Sequence, residues 1–158
     1  MRKRKVVLIV LAILLIAAVG ASADTFGVGV AAGLSPFGGL PGQNVMLSVK
    51  VPQLPVLWGV GAQLSEGGFN LGVTADWWLY TQNLFSFVNL YIGPGLYLAV
   101  PNFELGGRVP IGLNAYPIEV LELFLEFAPT WAPITAGGFN TANFGLQGSF
   151  GLRFWFET

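Results

Sequence analysis

The sequence predicts an all-β protein, an eight-stranded antiparallel up-and-down transmembrane β-barrel preceded by a cleaved signal-peptide helix. Three observations carry that prediction. The 158 residues are 54% hydrophobic and only 9% charged, where an ordinary soluble domain has roughly 25% charged residues. Alternation of apolar residues with small or polar ones dominates from Phe26 to the end, the period of a strand with one apolar face. The chain opens on Met-Arg-Lys-Arg-Lys, and an unbroken apolar run follows.

That opening has the three parts of a secretory signal peptide. Residues 1–5 are the positive region, Val6–Val19 the apolar region, and Ala21-Ser22-Ala23 the small-residue cleavage site. The apolar run is shorter than the roughly 20 residues a spanning helix needs. Cleavage is expected between Ala23 and Asp24, giving a signal peptide at 1–23 and a barrel at 24–158, with the secretion machinery as a partner. No cysteine follows the site, which excludes lipoprotein processing. Beyond residue 23 only Lys50, Arg108 and Arg153 are basic, against eight acids, a net charge of −5. Nothing in that balance suits nucleic acid.

Eight alternating segments follow in order. Residues 25–34 set Phe26, Val28 and Val30 against Gly27, Gly29 and Ala31, and residues 44–51 set Val45, Leu47 and Val49 against Met46, Ser48 and Lys50. Residues 56–65 oppose Trp58 and Val60 to Gly59 and Gly61. Residues 69–80 oppose Leu71, Val73, Ala75 and Trp77 to Thr74, Asp76, Trp78 and Tyr80. In 86–98, Val88, Leu90 and Ile92 face away from Asn89, Tyr91 and Gly93, and Pro94 falls on the apolar face, where a bulge is the expected accommodation. In 104–116, Leu105, Val109 and Ile111 oppose Gly106, Arg108 and Gly112. Residues 119–128 have helical propensity, but Leu121, Leu123 and Leu125 alternating with Glu122, Phe124 and Glu126 fit a strand better. The last segment, 143–156, is the clearest: Phe144, Leu146, Phe150, Leu152, Phe154 and Phe156 share one face.

Links at 52–55, 81–84 and 115–118 are expected to be tight, and those at 35–43 and 129–142 long. Short turns on the periplasmic side and longer loops outside are the habit of outer-membrane barrels. An even strand number then returns both termini to the periplasmic end.

The apolar face must look outward. The opposite face is mostly Gly, Asn, Ser and Gln with about one charge per strand, too neutral for a soluble surface. Turned inside out, the barrel shows its apolar side chains to outer-membrane lipid, and closure removes every unpaired sheet edge from the bilayer. Trp58, Trp77 and Phe156 are expected at the same periplasmic height as an aromatic girdle.

An eight-stranded barrel has just enough interior for side chains to fill. Trp78, Tyr80, Tyr91, Tyr97, Phe124 and Trp155 supply bulk, and Arg108, Glu122, Glu126 and Arg153 supply charge. A turn centred on Pro117 sets Arg108 directly opposite Glu126, and Glu122 faces the last strand, where Arg153 is the only base. Charges in so small a lumen must pair, or their desolvation is not repaid. A self-neutralising core network is the favoured role for these four, ahead of a gate or proton-linked plug.

The segment Ser149-Phe150-Gly151-Leu152-Arg153-Phe154-Trp155-Phe156 resembles the β-signal read by the barrel assembly machinery. Ser149, Gly151, Phe154 and Phe156 match its polar, glycine and aromatic positions, although Glu157-Thr158 follow where many such proteins end on the aromatic. With the signal peptide and eight strands, the chain resembles small outer-membrane barrels of the OmpA/OmpX/OmpW kind. The segments YIGPGLYL (91–98) and RVPIGLNAYP…LELFLEFAP (108–129) look similar to those of spirochaetal and related barrel proteins. The resemblance implies residence in a bacterial outer membrane, with an envelope or surface-contact role; its OmpW-like side implies the alternative of a narrow conduit for small solutes. Barrel lipases, proteases and acyltransferases rely on a histidine base, and this chain has neither His nor Cys. The expectation is a non-enzymatic protein with no cofactor, no metal and no catalytic residues.

Overall fold

The computed structural model describes residues 25–37, 45–52, 54–65 and 68–157. The expected signal peptide, with Ala21, Ala23 and Asp24, lies outside the described residues.

Eleven of the twelve hydrogen-bonded segments make eight strands. They are β1 (Thr25–Phe37), β2 (Val45–Lys50), β3 (Leu57–Ser65), β4 (Gly68–Asp76, resuming as Tyr80–Phe85), β5 (Val88–Ile92, resuming as Gly95–Val100), β6 (Glu104–Arg108, resuming as Ile111–Ile118), β7 (Leu121–Thr135) and β8 (Phe144–Glu157). Each strand pairs antiparallel with the next, and β8 closes on β1 from Thr25↔Glu157 to Phe37↔Leu146. The fold is thus the eight-stranded barrel that the alternation predicts. Following paired residues round the ring from Gly27 leads through Lys50, Leu57, Asp76, Gly95, Arg108, Thr130 and Gly145. The path returns beside Phe37, at the opposite end of the strand on which it began. That stagger obliges the strands to tilt.

Burial follows the alternation. Along β7 every second residue from Glu122 to Ala132 is buried while Leu123, Leu125, Phe127 and Trp131 are exposed. The exposed apolar set recurs on the other strands, including Val30, Leu47, Val60, Leu71, Leu98, Ile111 and Phe150. The protein therefore buries its polar face and exposes its apolar one.

Several boundaries differ from the sequence expectation. β4 continues to Phe85, and its turn is at 86–87, not at 81–84. The β6–β7 turn is at 119–120, not 115–118, so Arg108 stands opposite Thr130, not Glu126. Residues 129–135 belong to β7 and not to a loop; Gly138–Phe139 folds back to pair with Ile134 and Thr135. Pro129 does not end the strand: it lacks a donor, but its carbonyl still accepts the Val109 N–H at 3.0 Å.

Pro94 and Pro110 are accommodated in the same way, accepting from Trp77 N–H at 2.9 Å and Gly93 N–H at 3.2 Å. The expected bulge lies across the ladder from Pro94. Asp76 pairs with Gly95 but Tyr80 with Ile92, which leaves one extra residue on β4. One extra residue reverses the facing of everything after it. Tyr80, expected inside the lumen, therefore shares the outer face with Ile92 and is half-exposed.

Candidate functional site

The lumen between the strands is the site with chemistry, and its glycines allow it to be filled. A Cβ at Gly95 would collide with the Asp76 carboxylate and approach Arg108 Cγ to 2.9 Å. Gly95 sits between those two residues in the ladder, so only its bare backbone lets Asp76 on β4 meet Arg108 on β6 across β5. A Cβ at Gly112 would likewise enter the Tyr91 ring, and one at Gly29 would stand 2.6 Å from Arg153 Cγ.

Two clusters result. Arg108 points Nε at Asp76 Oδ1 (3.2 Å), donates from Nη1 to Gln147 Oε1 (2.8 Å), and pairs through Nη2 with Glu126 Oε1. Glu126 Oε2 accepts a further bond from the Tyr91 hydroxyl at 2.8 Å. Arg153 donates from Nη1 to Glu122 Oε1 (2.7 Å) and from Nε to Ser48 Oγ (2.8 Å). Its guanidinium carbon lies 3.8 Å from the Phe124 ring centroid and 5.1 Å from that of Trp78, a cation–π arrangement. Glu122 also accepts from Asn114 Nδ2 at 2.9 Å and from Trp155 Nε1 at 2.7 Å. Trp78 stacks on Tyr91 with centroids 4.4 Å apart.

All five charged residues are at most 4% exposed. Three carboxylates thus face two guanidiniums in a volume from which solvent is almost excluded. Beside Asp76 and Glu126 a cavity of about 10 Å³, also lined by Ser48, Thr74 and Arg153, has room for about one water molecule.

The structure brings Arg108 to Glu126 and Glu122 to Arg153. The second pair are direct ladder partners. The first pair meet although their backbone positions are offset, because the Arg108 side chain runs along the inner wall past Ala128. Asp76 is a member of the network beyond the four residues the sequence predicts. Its signal was present in the inward face of 69–80 and in Gly95, the gap through which Asp76 reaches a base.

The remaining expected residues are dispersed. On the outside, Trp77 is covered by Val56, Ala75, Trp58 and Leu96, whereas Phe156 is half-exposed and packs 6.3 Å from Phe26. Trp58, Trp77 and Phe156 are therefore unequally presented to the surroundings. Ser149 and Gly151 face the lumen side of β8, with Phe154 and Phe156 outward. A Cβ at Gly151 would stand 2.8 Å from Ala31 Cα, so this glycine permits the close β8–β1 approach that seals the ring. Among the described residues, no group of three His, Cys, Asp or Glu is placed to hold a metal ion.

No family model and no curated protein matches the sequence. Among solved structures, the chain is similar to Neisserial surface protein A (NspA), with a TM-score of 0.51 and 13% identity over 85% of this chain and 99% of that one. At that identity the likeness bears on the fold, and it is a small β-barrel that the two chains share.

Proposed function

We propose that the chain is an integral protein of a bacterial outer membrane. In this reading it is exported by a signal peptide cleaved after Ala23 and inserted by the barrel assembly machinery through Ser149, Gly151, Phe154 and Phe156. Its role is non-enzymatic, in envelope structure or surface contact. The observation that carries the reading is the inversion of polarity, with large apolar side chains exposed on the outer wall and five charged groups sealed inside. Such a wall is stable against lipid and costly against water. The name of NspA, a surface protein, supports the same placement.

A closed lumen favours a structural body over the alternative, a narrow conduit. Purified protein refolded into planar bilayers tests the choice. The proposal expects heat-modifiable gel mobility, the mark of a folded barrel, and no steady conductance. Discrete, reproducible channels would move the function to the conduit, and a failure to insert would overturn the membrane reading.

A further inference from the structure

Beyond Asp76, towards the end where Thr25 and Glu157 meet, the wall formed by the described residues is incomplete. β3 begins at Leu57, which pairs with Asp76, so among the described residues Tyr80–Phe85 has β5 on one side and no strand on the other. All six of these residues are exposed. Soluble proteins blunt such an edge with charge or proline; here no residue from Trp77 to Phe103 is charged. The other features at this end of the barrel are marked by Lys50, Glu119 and Glu157.

The hairpin uses its polar side chains on itself. Asn83 Nδ2 donates to Ser86 O and to Asn89 Oδ1, each at 2.9 Å, and the Tyr80 hydroxyl donates to Gln82 Oε1 at 2.6 Å. Beside the outward Tyr80 and Gln82 it exposes large apolar side chains: Leu79 is 75% exposed, Phe85 64% and Phe87 53%. Tyr80 and Ile92 pair on the outer face of the wall, just past the interruption at 77–79.

We infer that the 79–92 hairpin is a membrane-interface anchor, with Leu79, Leu84, Phe85 and Phe87 seated at the headgroup–acyl boundary of the leaflet at the end where Thr25 and Glu157 meet. The inference rests on the outer-membrane reading above. Its chemistry is that of an interfacial lipid surface: rings and aliphatic chains gain from the acyl region, while the unpaired edge of Tyr80–Phe85 stays where water and headgroups can satisfy it. The edge could not lie in the hydrocarbon itself.

The native chain has no cysteine, so single cysteines report cleanly. Phe85→Cys, Phe87→Cys, Leu125→Cys and Glu119→Cys are labelled with an environment-sensitive fluorophore and refolded into dioleoylphosphatidylcholine vesicles. Labels at 85 and 87 are expected to lose most of their fluorescence to lipid bearing a shallow nitroxide and little to aqueous iodide. The label at 119 should do the reverse, and the label at 125 should respond to a deep nitroxide. If 125 is quenched by lipid while 85 and 87 follow 119, the anchor is overturned and the membrane reading stands. If 125 is not quenched by lipid, the membrane reading fails and the anchor falls with it. A disulfide-linked dimer of the Phe85→Cys protein, without lipid quenching, would give the face to a second copy and overturn the proposal.

Discussion

Glu122→Ala is the most informative perturbation of the lumen. Glu122 is fully buried and accepts from Arg153, Asn114 and Trp155. Its loss leaves a guanidinium that is only 2% exposed without its carboxylate. Breaking a buried pair from one side costs about 3–5 kcal/mol. The part-buried Trp155 donor, left without its acceptor, and Asn114 Nδ2, left with only a 3.4 Å bond to the Tyr116 hydroxyl, add part of the cost of an unpaired buried donor, about 1–3 kcal/mol. These terms share a neighbourhood and do not add in full, so a loss of about 4–6 kcal/mol is expected. The assay is urea unfolding of the refolded barrel in vesicles, followed by tryptophan fluorescence with gel mobility as a second probe. The double variant Glu122→Leu/Arg153→Met separates the causes, because replacing both members of a buried pair with apolar residues is often close to neutral. It should recover most of the loss. A single variant costing less than about 1 kcal/mol, the size of an exposed pair, would refute the reasoning. So would a double variant no better than the single one.

Three further outcomes follow from the same geometry. Asp76→Asn should be the mildest of the three carboxylate neutralisations in the same urea assay, because three carboxylates face two arginines and Asp76 Oδ1, although ion-paired with Arg108 Nε, has no hydrogen-bond partner among the described residues; a cost equal to that of Glu122→Gln would contradict this. Gly95→Ala should cost about 1–3 kcal/mol by overpacking, and Gly95→Ala/Asp76→Ala should be less than additive, since the added methyl occupies the place of the Asp76 carboxylate. Phe154→Ser/Phe156→Ser should reduce the yield of folded barrel in cells more than refolding in detergent, measured by gel mobility; equal losses in both would make the two rings structural only.

Much of the fold was legible because a strand's period of two survives any register. The outer apolar set of β8, Phe144 through Phe156, needed no knowledge of neighbours. Register was harder, since it depends on where each turn closes. The sequence predicts the β6–β7 turn at 115–118, whereas the strands run on past Tyr116 and Pro117 to close at 119–120, so every pairing between them shifts. The contact between Arg108 and Glu126 is nevertheless present because a long guanidinium side chain spans the error. Tyr80 had no such tolerance. One bulged residue beside Trp78 moved it to the other face, and a single strand gives no local signal of an extra residue set against its partner. Asp76 was missed for a different reason: its contact with Arg108 skips a strand, which pairwise strand matching does not consider.

Inverted polarity is the central claim, and alternate positions along β8 test it most directly. Single cysteines at Leu146, Gln147, Ser149, Phe150, Leu152 and Phe154 are labelled after refolding into vesicles containing nitroxide lipid. The account predicts that positions 146, 150, 152 and 154 label and are quenched by lipid, while 147 and 149, both buried on the lumen side, resist labelling because the filled lumen shields them. Quenching at 147 and 149 with silence at the even positions would contradict it.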